Sequence, residues 1–162
     1  MATKLTKRQA EELLAAYKKQ QTDAANASIA AYNKTVDADV KDTESEIVAD
    51  KREAQATANA AIDRAVVQAL IEKRQIAETL SNLGLSRSGV ADSANESIAR
   101  RQQVSKRQAT AKKTASLSAL SQRLVTAREQ AAAKKAKNAA AVNKTLGSKI
   151  AEKKLTLDKA AL

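Results

Sequence analysis

The chain has 162 residues and carries 29 Lys and Arg against 18 Asp and Glu, a formal net charge of +11, with no Phe, Trp, Pro, Cys or His. Without Cys and His there is no disulfide framework, no ordinary transition-metal site, no thiol nucleophile and no imidazole base. Tyr17 and Tyr32 are the only aromatics, so a thick globular core is excluded. The abundant Ala, Lys, Gln, Glu and Arg favour long helices or coiled coil.

In chain order, Met1-Ala2-Thr3-Lys4-Leu5 contains no apolar leader segment, and nowhere do enough apolar residues run together to span a membrane. The expectation is a protein made in the cytosol and used without secretion, with no membrane span. Helix starts are offered by Thr3 and by Thr6, the latter with Gln9 at the spacing of a capping box. Leu13, Tyr17, Ile29, Tyr32, Val36, Val40 and Ile47 then recur at steps of three and four or their sums. Ala54, Ala58, Ala61, Ala65, Ala69, Ile76, Leu80 and Leu83 continue them, as one face of a helix requires.

Two stretches interrupt this first arm. Residues 20–28 lack a large apolar side chain, and their Thr, Asp, Asn and Ser compete for backbone hydrogen bonds, so they mark a candidate break. Asp37, Asp39, Asp42, Glu44, Glu46 and Asp50 form an acidic run. It reads as a solvated or cross-paired helix face, since a calcium loop of the EF-hand kind needs a central Gly that is absent here.

At the midpoint, Asn82-Leu83-Gly84 is a helix stop, because Gly can take the left-handed conformation that closes a helix. Ser93 with Glu96 has the spacing of a new helix start. The turn is assigned to Leu83, Gly84, Leu85, Ser86, Ser88 and Gly89. A helical hairpin follows; one continuous helix kinked here is the alternative.

The second arm continues the pattern with Ile98, Leu117, Leu120, Leu124, Ala127, Ala131, Val142, Leu146 and Ile150. Gly147 is expected to end or bend it, leaving a tail whose Leu155, Leu157 and Leu162 dock or fray. The expected fold is all-α, a long antiparallel helical hairpin or coiled coil, oligomeric or embedded in a larger assembly. Its parts are a first arm at 1–83, a turn at 84–92, a basic arm at 93–147 and a tail at 148–162. Folding at the turn sets the acidic residues 37–50 opposite residues 122–135, which include Arg123, Arg128, Lys134 and Lys135. A seam so rich in Ala removes little apolar area from water, so the hairpin is expected to be marginal alone.

Charge is divided unevenly. Residues 1–83 carry 12 basic and 13 acidic side chains, whereas residues 84–162 carry 17 and 5. Arg100, Arg101, Lys106, Arg107, Lys112, Lys113, Lys134, Lys135 and Lys137 are candidate contacts to a polyanion, able to displace counterions from a phosphate backbone without reading sequence. No base-stacking aromatics or recognition motif accompany them. Ser86-Arg87-Ser88-Gly89 could cradle a phosphate, but a polar turn is the better reading. There is no Walker sequence and no catalytic constellation, so neither an enzyme nor a cofactor is expected.

Residues 61–89 carry a resemblance. Ala61-Ile62-Asp63-Arg64-Ala65, then Glu72-Lys73-Arg74-Gln75-Ile76-Ala77-Glu78-Thr79-Leu80, and then Asn82-Leu83-Gly84-Leu85 followed by Ser88-Gly89 are similar to a family of small, Ala- and Gln-rich helical proteins of tailed bacteriophages and prophages. Arg87 stands where that family often has an acid. The resemblance implies a non-catalytic, multi-copy virion component of the tail, baseplate or portal region, made in the host cytoplasm and partnered by other virion proteins. From a different class comes a sequence-independent nucleic-acid-binding protein acting through the basic arm. A scaffold bridging acidic protein partners is the third reading.

Overall fold

The computed structural model describes residues 5–86 and 89–161. Two helices make up almost all of it, α1 at Lys7–Asn82 and α2 at Gly89–Ala161. They pack against each other as an all-α hairpin, with no strand among the described residues.

Local chemistry sets the ends of α1. At its start the Gln9 backbone N–H donates to Thr6 Oγ1 at 3.3 Å while the Thr6 N–H donates to Gln9 Oε1 at 3.0 Å, the reciprocal capping box. Its far end closes on Gly84, which takes a φ of +69°. The Leu85 N–H reaches the Leu80 carbonyl at 2.8 Å and the Gly84 N–H the Ser81 carbonyl at 3.1 Å. These are the paired closing bonds of a Schellman motif, which satisfy carbonyls left free by the last turn.

The helices differ from the expected boundaries in three places. α1 runs through residues 20–28 unbroken. There Gln21, Ala25 and Ile29 turn inward while Thr22, Asp23, Asn26 and Ser28 stay exposed, so packing on one face outweighs weak propensity on the other. α2 starts at Gly89 rather than Ser93. Ala91 and Ala94 are half-buried, so the first turn is already part of the seam, and Glu96 pairs with Arg100 one turn on. Nor does α2 end or leave a separate tail at Gly147. That residue faces solvent, Leu146 and Ile150 are half-buried on either side, and Leu157 is buried; three apolar anchors hold a helix that one Gly weakens by only about 1 kcal/mol. Three apolar positions also move outward: Leu13, Tyr32 and Leu83 are exposed, and Leu14 faces inward in place of Leu13.

The chain divides into two compact units. The first combines residues up to Thr43 with those from Val125 onward. It buries Ala10, Ala25, Val36, Ala131 and Leu157, and Lys153 Nζ lies 5.6 Å from the centre of the half-buried Tyr17 ring, within cation–π range. The second, Glu44–Leu124, buries Ile47, Ala58, Ala69, Leu80, Ile98 and Ala109, among which Ile47 and Ile98 are each 1% exposed.

From Ala25 to Leu80 and from Ile98 to Ala131 the buried positions follow an eleven-residue period. On α1 they are Ala25, Val36, Ile47, Ala58, Ala69 and Leu80, and on α2 Ile98, Ala109 and Ala131, with half-buried Leu120 and Val142 completing the series. Eleven residues make three turns at about 3.67 residues per turn, against 3.5 for a heptad coil, and such a repeat favours right-handed rather than left-handed winding. Many of these positions hold only Ala. At about 25 cal/mol per Å² an Ala methyl contributes far less than Leu or Ile.

Candidate interaction surfaces

Acid and base meet across the hairpin in the expected register. In the first unit Lys135 Nζ donates to Asp37 Oδ1. In the second, Arg123 binds Glu46 at 3.1 Å and Asp50 at 3.5 Å, and Arg101 binds Glu72 at 3.0 Å. All are partly or well exposed, so each pair contributes about 0–1 kcal/mol and serves register more than stability.

The proposed polyanion contacts therefore separate into two groups. Arg100 is paired with Glu96 on its own helix, Arg101 with Glu72 and Lys135 with Asp37. Lys106, Arg107, Lys112, Lys113, Lys134 and Lys137 have no ion-pair partner among the described residues. Lys106 and Lys113 are half-buried, whereas Arg107, Lys134 and Lys137 are exposed. Successive helical residues turn by about 100°, which spreads these cations around α2 rather than along one edge.

Among the turn residues, Leu83, Gly84 and Leu85 form the closing motif, with Ser86 exposed after it and Gly89 opening α2. Ser88 lies outside the described residues, as does Arg87 of the suggested phosphate cradle. Leu83, Leu85 and Val90 are all exposed at this end. Farther along α1, Val67, Leu70 and Ile71 form a second exposed apolar patch.

Two features were not read from sequence. In the first unit Asn33 Oδ1 and Asn138 Nδ2 are shut off from solvent without a hydrogen-bond partner. The Asp37–Lys135 pair, about one turn away on each helix, brings the two amides to the same level of the seam. The signal was a polar residue at a seam position of each arm, but Asn33 was hidden between Tyr32 and Val36. In the second unit an open groove of about 650 Å³ runs along the Ala seam. Asp50 and Glu53 stand on its α1 wall, Lys112 and Lys113 on its α2 wall, and Ala58 and Ala61 are among its lining.

Among the described residues no group of acidic side chains is placed to hold a metal ion, and no helix is long and apolar enough to cross a membrane. Comparison with protein-family models, curated proteins and solved structures finds no match to this chain.

Proposed function

We propose that the chain is a non-catalytic, multi-copy structural component of a tailed-phage virion, in the tail, baseplate or portal region. The observation that carries the structural part is the imbalance of its apolar side chains. Ile47 and Ile98 are fully buried, while Leu70, Leu83, Val90 and Leu155 are each more than half exposed. A hairpin with so thin a core gains most by burying its outward apolar residues against neighbours. The phage assignment rests on the resemblance of residues 61–89. Quantitative mass spectrometry of purified particles from the encoding phage or prophage tests it: more than one copy per particle is expected, and absence from the particles overturns it.

The unpaired cations of α2 favour a second reading, contact with nucleic acid through the backbone phosphates. Binding to duplex DNA would be independent of sequence, with log affinity falling by about 0.9 per unit of log salt for each phosphate neutralised. Absence of binding to a duplex at low salt removes this reading and leaves the first intact. Both roles are compatible in a hairpin that lines a DNA passage.

A further inference from the structure

In the second unit the outward face of α1 carries an apolar patch with a charge of opposite sign at each end. Val67, Leu70 and Ile71 are 55%, 61% and 46% exposed. Asp63 and Arg74, both exposed, bracket them. These two are separated by the eleven-residue period of the seam, so they lie at the same angle on α1, about 130° round the helix from buried Ala69. Val67 and Leu70 fall on either side of the line that joins them. Asp63 has no ion-pair partner among the described residues. Arg74 uses only Nε on Glu78, at 3.1 Å, and its terminal nitrogens remain able to donate.

We propose that a second copy of this chain docks on this face, its α1 antiparallel to the first, about a two-fold axis perpendicular to both helices at the level midway between Val67 and Leu70. The axis reverses the second helix, so position 63 of each copy stands level with position 74 of the other, and position 67 with position 70. Each Asp63 then binds the Arg74 of the other copy, and the Val67 and Leu70 side chains of both close on one another between the two ion pairs, taking the patch out of water. The order of the charges is what selects a second copy in this arrangement. Parallel copies would set Asp63 against Asp63 and Arg74 against Arg74, and an antiparallel pair slipped by eleven residues would centre one like pair or the other on the axis. Along the same face Ala60 stands level with Ala77 and Ala56 with Ser81, small side chains that admit close approach. The proposal deepens the multi-copy reading, on which it rests, by naming the surface and the partner.

The test is sedimentation equilibrium of the full chain, with helicity checked by circular dichroism. Asp63→Arg and Arg74→Asp should each weaken self-association by about tenfold or more, because the two-fold axis repeats every like-charge contact. Mixed in equal amounts, the two variants restore both opposite-charge pairs in a heterodimer, whose affinity should come within about threefold of the wild-type dimer. Leu70→Gln, at a side chain that the hairpin leaves exposed, should keep helicity unchanged while weakening association by about tenfold. Self-association that persists in these variants, or charge-reversed chains that fail to rescue each other, overturns this face. So does a chain that stays monomeric at every concentration. Copy number in the particle is counted independently, so the multi-copy reading stands or falls on that count alone.

Discussion

Lys135 of α2 donates to Asp37 of α1 across 98 residues of sequence. The Lys135 side chain is 29% exposed and that of Asp37 66%, so water screens the pair. Asp37→Asn should lower stability by no more than about 1 kcal/mol, and less at high salt. Chemical denaturation at two ionic strengths measures this; a larger loss that persists in high salt would mean that the pair anchors the hairpin rather than tuning its register.

Gly84 and Gly147 should respond oppositely to substitution. An added Cβ meets nothing within 4 Å at either position, but only Gly84 has positive φ. Gly84→Val should therefore destabilise by about 1–3 kcal/mol through backbone strain alone. Gly147→Ala, inside a continuous helix, should stabilise by about 0.5–1 kcal/mol. Paired thermal melts decide it, and a destabilised Gly147→Ala would show that α2 needs flexibility there.

The two seam amides make a third prediction. Asn33 and Asn138 each leave an amide atom buried and unpaired, which costs about 1–3 kcal/mol apiece. Replacing both by Leu should raise the melting temperature. It should also loosen register, since a buried polar position specifies alignment at the expense of stability. Cysteine scanning along the double variant would then find more than one cross-linkable alignment; a single alignment, unchanged from wild type, counts against a register role.

Sequence carried the hairpin, the Thr6 cap, the Gly84 stop and the facing of residues 37–50 on 122–135, because each depends on a few neighbouring residue types or on counting from one turn. Many inward positions were legible where Leu, Ile or Val marked them, as at Leu120, Leu124, Val142, Leu146 and Ile150, but Leu13 and Leu83 marked outward ones. The eleven-residue period was not, because at Ala25, Ala58, Ala69, Ala109 and Ala131 it is marked only by Ala, which is common on every face, and Leu13 offered a false start beside Leu14. Gln21 and Ala25 hold α1 together through residues 20–28 by where they face, which local propensity does not report. The groove was hidden for a related reason: Ala61 stands level with Lys112, between the Arg101–Glu72 and Arg123–Asp50 pairs, and only the pairing of the two helices reveals that level.

That period can be tested by excision. Removing eleven residues from each arm, 54–64 together with 108–118, keeps the seam in phase and joins Ile47 to Ala69 and Ile98 to Leu120. The shortened chain should stay helical and melt in one transition. Removing nine from each arm at the same places turns the following seam by about half a turn, and should abolish cooperative melting. Equal behaviour of the two deletions would show that the period does not organise the core.

The hairpin itself is tested most directly by joining a salt-bridged amine and carboxylate without a spacer. Carbodiimide treatment of a mixture of isotopically light and heavy chains, followed by peptide mass spectrometry, should recover Asp37 linked to Lys135 within single chains, as their direct hydrogen bond requires. Recovery of that link only between light and heavy chains, or of residues 37–50 linked to sites away from 122–135, would contradict the antiparallel register on which the corner at Gly84 and the acid–base facing both depend.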